Sequence, residues 1–335
     1  MKAAIYYGIK DIRVEEIPTP TCGDDDVLVK TVRAGICGSD TGSYFLGGHV
    51  GGNMPGRQIG HEMVGHVVEV GKNVTTLKVG DRVFVNPLRN MPMGECDMMG
   101  AFAEYVKVTN AKLDYNIYKL PDSVSYDEAV IIEPFAVGTR GKNRPGAKKG
   151  DHVIVYGVGT IGLCCIAALI AQGITPIAVV RSNKRREFLE KLGAIVCNIK
   201  EVDLFEFVKE HFGMATARVG YPIPDVDIVV DCAGAPNVPD DFVKMAKSGS
   251  RLSIVAIAKE PRMIPPRLMS TEGFIHGSCG YDYEDITEVI NILASHSTCI
   301  NEIVTHHFKL DEINEAMEIA GAREAAIKVA SILSK

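Results

Sequence analysis

The chain has 335 residues, with 42 Asp and Glu against 36 Lys and Arg, for a formal charge of −6. At 46% hydrophobic and 23% charged residues it has ample material for a core, which excludes disorder over most of its length. The mild acidity and the lack of a long basic block exclude a general nucleic-acid surface, and at ~150 residues per domain the length predicts two domains.

The first ~130 residues read as β-strands and turns. KAAIYY, IRVEEI, VLVKTVRAG, MVGHVVEVG and DRVFVNPL alternate or cluster β-branched residues and end in Gly, Asp or Pro. Short strands at this spacing predict a barrel-like antiparallel domain. A Met-, Gly- and Pro-rich loop without periodicity runs from Pro87 to Ala101. Near residue 150 the pattern changes. HVIVYG is a short apolar strand, TIGLCCIAALIAQ a dense apolar helix and PIAVV a second strand. RSNKRREFLEKLGA reads as a charged loop and amphipathic helix ending at Gly193, and VDIVVDCAG and RLSIVAI as further strands. Strand and helix in alternation predict βαβ units and a parallel sheet. YEDITEVINILAS and DEINEAMEIAG then read as amphipathic helices, and AAIKVASI as a closing strand.

The longest apolar stretch, Ile161 to Val180, is broken by Gly162, Gln172, Gly173 and Pro176, so it predicts a buried helix and strand rather than a membrane span. MKAAIYYGIK is charged too early for a signal peptide. Nine cysteines scattered from Cys22 to Cys299 argue against a disulfide framework and for a reducing, cytoplasmic setting.

Gly157, Gly159 and Gly162, with Thr160 and Ile161 between them, match G-x-G-x-x-G after a strand and at the start of a helix. Gly157 permits the turn, Gly159 lets the backbone approach a pyrophosphate, and Gly162 lets helix and strand pack closely. The helix N-terminus offers N–H groups and partial positive charge to the phosphates. NAD sites place Asp or Glu at the end of the second strand. Here that strand ends in Arg181, Ser182, Asn183, Lys184 and Arg185, with no carboxylate. Cations and a hydroxyl suit a 2′-phosphate, so the corner predicts NADP over NAD.

Cys37, His61, Glu62 and Glu133 supply a thiolate, an imidazole and two carboxylates, the donor set that tetrahedral Zn2+ accepts. Taken alone each could be innocent: a lone Cys is usually a small buried hydrophobe, and a lone His a satisfied core residue.

GICGSD, GHEMVGHVVEVG, VGDRV, GAFAEYVKV, IEPFAVG, GVGTIG, VDCAG and the closing IKV stand in one order along nearly the whole chain. In this the chain resembles the zinc-dependent medium-chain dehydrogenases, in their alcohol and polyol branch. The resemblance implies an α/β protein: a GroES-like β-barrel catalytic domain over residues 1–140, completed by 281–335, and a Rossmann doubly wound parallel-sheet domain over 141–280. It implies an active site in the cleft between the two. It implies Cys37 and His61 as ligands of one catalytic zinc, Glu62 as a further ligand, and Glu133 as a ligand acting directly or through water. Asp40 is implied to orient His61, and Ser39 to take the substrate's proton. The expected reaction is hydride transfer between a secondary alcohol (a diol, polyol or sugar derivative) and NADP or NAD. A zinc-free reductase of the same fold and a non-catalytic nucleotide-binding protein are the competing readings. The expected partners are small alcohols or carbonyls and further copies of the chain, as a homodimer or homotetramer, with no nucleic acid and no membrane. SRLSIVAIA is the candidate pairing edge.

Three departures from the family pattern stand out. The loop from Asn86 to Gly100 holds only Cys96, so no structural zinc is expected, and Met91, Met93, Met98 and Met99 read as gap fillers. Gly42 stands where a relay histidine is usual, leaving Tyr44 or His49 as substitutes. Cys279-Gly280-Tyr281 retains the Tyr but not the Arg of a sorbitol-contacting triplet, which puts a sorbitol-like substrate in doubt.

Overall fold

The structure is a computed structural model that describes residues 1–90, 100–258, 260–322 and 326–333. The chain forms two compact units, Met1–Pro134 with Asn301–Lys335, and Phe135–Ile300.

The first unit opens with β1 (Lys2–Gly8), β2 (Asp11–Glu16), β3 (Val27–Gly35), β4 (Arg57–Gln58), β5 (Glu62–Val70), β6 (Arg82–Val85), β7 (Tyr105–Val108) and β8 (Ile117–Lys119). The second unit contains β9 (Val153–Tyr156), β10 (Ile177–Val180), β11 (Ile195–Asn198), β12 (Met214–Thr216), β13 (Pro222–Pro224), β14 (Val226–Asp231), β15 (Ala246–Ile254) and β16 (Phe274–Gly277). The chain then returns to the first unit with β17 (Val304–Lys309) and β18 (Lys328–Ile332).

In the first unit, β2, β1 and β4 form a small sheet, and β17-β18-β3-β5-β6-β8 form a larger one in which β7 also pairs with β3. The larger sheet is antiparallel except where β17 and β18 run parallel. Its centre, β3, is buried along most of its length, which suits the apolar run VLVKTV. Val27, Val29, Met63, Val67, Val85 and Phe102 share one core with Ile313 and Met317 of the helix Ile313–Gly321. Burying each such side chain contributes about 1.5–3 kcal/mol.

The second unit is a six-stranded parallel sheet in the order β11-β10-β9-β14-β15-β16. The order reverses between β9 and β14, which makes their C-terminal ends a topological switch point. The helix Thr160–Ala171 connects β9 to β10 and is buried over eight consecutive residues, Gly162 to Leu169, as its unbroken apolar sequence requires.

Two expectations are corrected. Residues 281–300 belong to the second unit rather than the first. The helix Tyr283–Ser295 buries Ile286, Val289 and Leu293 there, and its acidic end pairs with the basic end of Ile132–Asn143. Arg140 meets Asp282 at 2.6 Å, and Lys142 meets Glu288 at 2.8 Å. The proposed edge SRLSIVAIA is not an edge: β15 is paired with β14 and β16, and β16 is outermost.

Candidate active site

Cys37 caps the helix Gly38–Leu46, so its sulfur stands at the positive end of a helix. Asp40, in the helix's first turn and fully buried, accepts a hydrogen bond from the Cys37 N–H at 2.9 Å. That bond holds the turn in a Gly- and Ser-containing segment of poor helix propensity. His61 and Glu62 lead into β5, and Glu62 pairs in register with Gly35 of β3.

The sulfur of Cys37, a ring nitrogen of His61 and a carboxylate oxygen of Glu62 lie within 4.8 Å of one another. Asp40 Oδ1 stands 3.8 Å from His61 Nδ1, on the side from which a carboxylate orients a ligating imidazole. His61 Nδ1, Asp40 Oδ1, Glu62 Oε1 and the Ser39 hydroxyl are all buried without hydrogen-bond partners. Buried polar atoms are rarely left so. A soft thiolate, an imidazole and a carboxylate converging with unspent lone pairs are the donors a Zn2+ ion accepts.

The charges point the same way. Burial pushes the His61 imidazolium down, yet Asp40, Cys37 and Glu133 together hold its pKa well above the ordinary value. Burial pushes the Asp40 carboxyl up, against the pull of His61. Glu133, at the start of the helix Ile132–Asn143, is buried and adds its charge to His61, but it lies outside the 4.8 Å set.

Sequence reading missed two members of this cluster. Lys328 of β18 has a side chain only 2% exposed. Its ammonium pairs with Glu62 Oε2 and donates to the Ile36 carbonyl at 2.8 Å. Burial pushes its pKa down, but Glu62 and Cys37 outweigh that and leave it raised. Gly35, between these strands, makes room for the pair. A Cβ there would lie 2.1 Å from Glu62 Oε2 and 2.9 Å from Lys328 Cε. Both lie in segments the sequence singles out, Gly35 opening GICGSD and Lys328 within IKV, but nothing in either segment alone ties them to the site.

Tyr44 is 3% exposed, stacks edge-on with Phe45 and donates to Glu318 at 3.4 Å, which makes it a core residue. His49 is exposed, and Tyr281 is buried in the second unit. Cys96 and Met91, Met93, Met98 and Met99 lie outside the described residues.

In the second unit, Gly157 takes a φ of +86° in the turn after β9, and Gly159 caps the helix Thr160–Ala171. A Cβ on Gly162 would lie 1.9 Å from the Gly157 carbonyl oxygen, so turn and helix are in backbone contact. The first N–H groups of such a helix have no intrahelical acceptor and face outward. After β10, Arg181, Ser182 and Lys184 are exposed, and the Ser182 hydroxyl accepts from the Lys184 N–H at 3.3 Å. The Arg185 guanidinium donates to the Val158 carbonyl inside the glycine turn, and burial lowers its pKa. A carboxylate does reach this corner, contrary to expectation. Glu201, from beyond β11, accepts from Asn183 at 2.5 Å and Asn198 at 2.9 Å, and pairs with Arg186 at 3.8 Å.

A second group of metal-ligand type, His152, Asp225 and Asp227, already surrounds a cation. Lys247 sits 2.5 Å from Asp225 and 2.8 Å from Asp227. Among the described residues no helix is long and apolar enough to cross a membrane.

Comparison with known proteins follows the same division. Residues 23–122 match the sequence model of the alcohol dehydrogenase GroES-like domain, and residues 160–295 that of the zinc-binding dehydrogenases. The chain is 31% identical to the sorbitol dehydrogenase of Bacillus subtilis over 347 residues, spanning 96% of this chain and 93% of that protein. The crystal structure of 2R,3R-butanediol dehydrogenase from Bacillus subtilis superposes with a TM-score of 0.84 at 28% identity, covering 99% of both chains. An Escherichia coli CFT073 protein described as a short chain alcohol dehydrogenase and solved with NADH gives 0.84 at 25% identity, again over 99% of both.

Proposed function

Because this chain belongs to the zinc-dependent medium-chain dehydrogenases, in their polyol and alcohol branch, we propose that it oxidises a secondary alcohol, or reduces the matching ketone, with one catalytic zinc and NADP. The observation that carries this reading is the convergence of Cys37, His61 and Glu62 with buried polar atoms that lack partners.

Cys37, His61 and Glu62 would hold the ion, with Glu133 as a further carboxylate acting directly or through water. A bound Zn2+ supplies Lewis acidity, which eases loss of an alcohol's hydroxyl proton and polarises a carbonyl in the reverse direction. A bound nicotinamide dinucleotide accepts or supplies the hydride. Asp40 orients the His61 ring and keeps it an effective ligand. Ser39, whose hydroxyl has no competing partner, takes the proton from the substrate and passes it toward solvent. Gly157, Gly159, Thr160, Ile161 and Gly162 seat the pyrophosphate. Exposed Arg181, Ser182 and Lys184 suit a 2′-phosphate, with Arg185 bracing the turn, while Glu201 is already occupied by Asn183, Asn198 and Arg186. The named relatives act on a polyol and a diol, and the substrate here is of that class or sugar-derived.

The protein works in the cytosol as a homodimer or homotetramer. No disulfide joins the described cysteines, which suits a reducing compartment. The pairing edge is β16, an outermost strand that begins at exposed Phe274 and follows a segment in which Met263 and Met269 are also exposed, and a light-scattering mass of one chain would refute the assembly.

The deciding experiment combines metal analysis of freshly purified protein with a screen of diols, polyols, sugar acids and sugar phosphates against NAD and NADP. One zinc per chain with NADP-linked turnover is expected. Turnover without zinc identifies a zinc-free reductase. Cofactor binding without turnover on any alcohol identifies a nucleotide-binding protein that does no chemistry.

A further inference from the structure

The geometry points to Lys328 as a positioning residue of the metal centre: it occupies one oxygen of Glu62, so that this carboxylate meets the ion with its other oxygen alone and a coordination position stays open. The inference rests on the zinc reading above and concerns how tightly, and with how many atoms, the chain holds the ion.

Three adjacent strands contribute. Glu62 comes from β5, Lys328 from β18, and Gly35 lies on β3 between them. The Lys328 ammonium is anchored twice, to Glu62 Oε2 and to the Ile36 carbonyl at 2.8 Å. Both charged side chains are almost wholly shielded from water, at 2% and 1% exposure. Burial on this scale is costly unless the charges stay paired. Any side chain at Gly35 would displace the pair, because a Cβ there falls 2.1 Å from Glu62 Oε2 and 2.9 Å from Lys328 Cε. Glu62 Oε1 is the oxygen left without a partner, on a residue that shares the cluster with Cys37 and His61.

The chemical consequence concerns the difference between structural and catalytic zinc. Structural sites are closed by four protein donors, whereas catalytic sites keep one position for water or substrate. Cys37, His61 and both oxygens of Glu62 would close the site. With Oε2 held by an ammonium, they cannot. The same fixed positive charge opposes a divalent ion nearby, so Lys328 loosens the ion while it keeps the position open.

The test measures metal binding rather than turnover. The purified protein, Lys328→Met and Lys328→Gln are stripped with a chelator and titrated with Zn2+ against a chromophoric competitor. Co2+ is then loaded in place of Zn2+ and its visible spectrum recorded. Lys328→Gln keeps a donor for the Ile36 carbonyl and guards against a variant that does not fold. Thermal unfolding checks both. Both variants are expected to bind Zn2+ about tenfold or more tightly than the parent protein. Their Co2+ bands are expected to shift in position and intensity as the second oxygen joins the coordination. Affinity equal to or below that of the parent protein in both variants overturns the inference. An unchanged Co2+ spectrum overturns it too, because a lysine that only supports the fold would leave the coordination alone. A parent protein that takes up no Zn2+ overturns the zinc reading itself, and this inference with it.

Discussion

Replacing Gly162 by alanine probes the dinucleotide turn at the point of least tolerance. The added methyl would lie 1.9 Å from the Gly157 carbonyl oxygen and 2.9 Å from the carbonyl carbon. Ordinary contact begins near 3.4 Å, so helix and turn must part by about 1.5 Å. Both contacts are main chain, and no rotamer change relieves them. Alanine improves helix propensity by up to about 1 kcal/mol, whereas overpacking of this kind costs about 1–3 kcal/mol and more when backbone moves. The overlap wins, and a net loss of roughly 1–2 kcal/mol is expected. Binding suffers more than folding. A shift of that size carries the first-turn N–H groups of Thr160–Ala171 out of reach of a phosphate. A hydrogen bond to a charged group contributes about 1.5–3 kcal/mol, so losing one weakens either dinucleotide by about tenfold to a hundredfold. Calorimetric titration with NAD and NADP, alongside thermal unfolding with and without cofactor, measures both effects. Parent-like affinity for both dinucleotides with an unchanged melting temperature would refute the assignment of this turn.

Three further outcomes are expected. Arg181→Asp should weaken NADP far more than NAD, and equal losses for the two in a binding titration would show that this corner does not read the 2′-phosphate. Zinc affinity should go on climbing as pH rises above the ordinary 6.5, because ligation needs neutral His61 and its neighbours hold that proton above the ordinary value. The same raised pKa stabilises the metal-free fold fully below 6.5, and that contribution disappears as pH rises through the raised value. A chelator competition that is flat above pH 6.5 contradicts the first statement, and urea unfolding of the metal-free protein that shows no such loss contradicts the second. Arg262→Met should cost about 3 kcal/mol in urea unfolding, since it strips the counter-charge from fully buried Asp231. Two backbone N–H groups, from Ala233 and Gly234, still bond Asp231 at 3.0 and 2.8 Å and keep the loss at the lower end of the range. A loss under about 1 kcal/mol would mean that the ion pair is unimportant.

Local pattern was legible wherever one physical signal dominated. Alternating β-branched runs marked β1, β2, β3, β5 and β6, and G-x-G-x-x-G between an apolar strand and helix marked the switch point of the parallel sheet. Relations created by register alone were not legible. Lys328 meets Glu62 because β18 and β5 both flank β3, a neighbourhood that joins residues far apart in the chain. Glu201 reaches the cofactor corner from the next strand's end, so reading β10 by itself finds only cations. The helix Gly38–Leu46 has two glycines and two serines, and it exists because Asp40 caps it and Tyr44 is buried. The true edge β16 is four residues long, too brief to stand out against the longer run of β15.

The placement of β18 also has a consequence for biosynthesis. Everything that β1 to β8 contribute to the metal cluster leaves the ribosome before the second unit, Phe135–Ile300, has been made. At roughly 5–20 residues per second, translating that insertion takes on the order of ten to thirty seconds. Throughout that interval Glu62 is a carboxylate without its ammonium, and the side of β3 that β18 will cover has no strand to pair with, since β17 and β18 are both still to be made. The cluster thereby gains its only lysine, and the sheet its closing pair of strands, in the last moments of synthesis, when β18 docks.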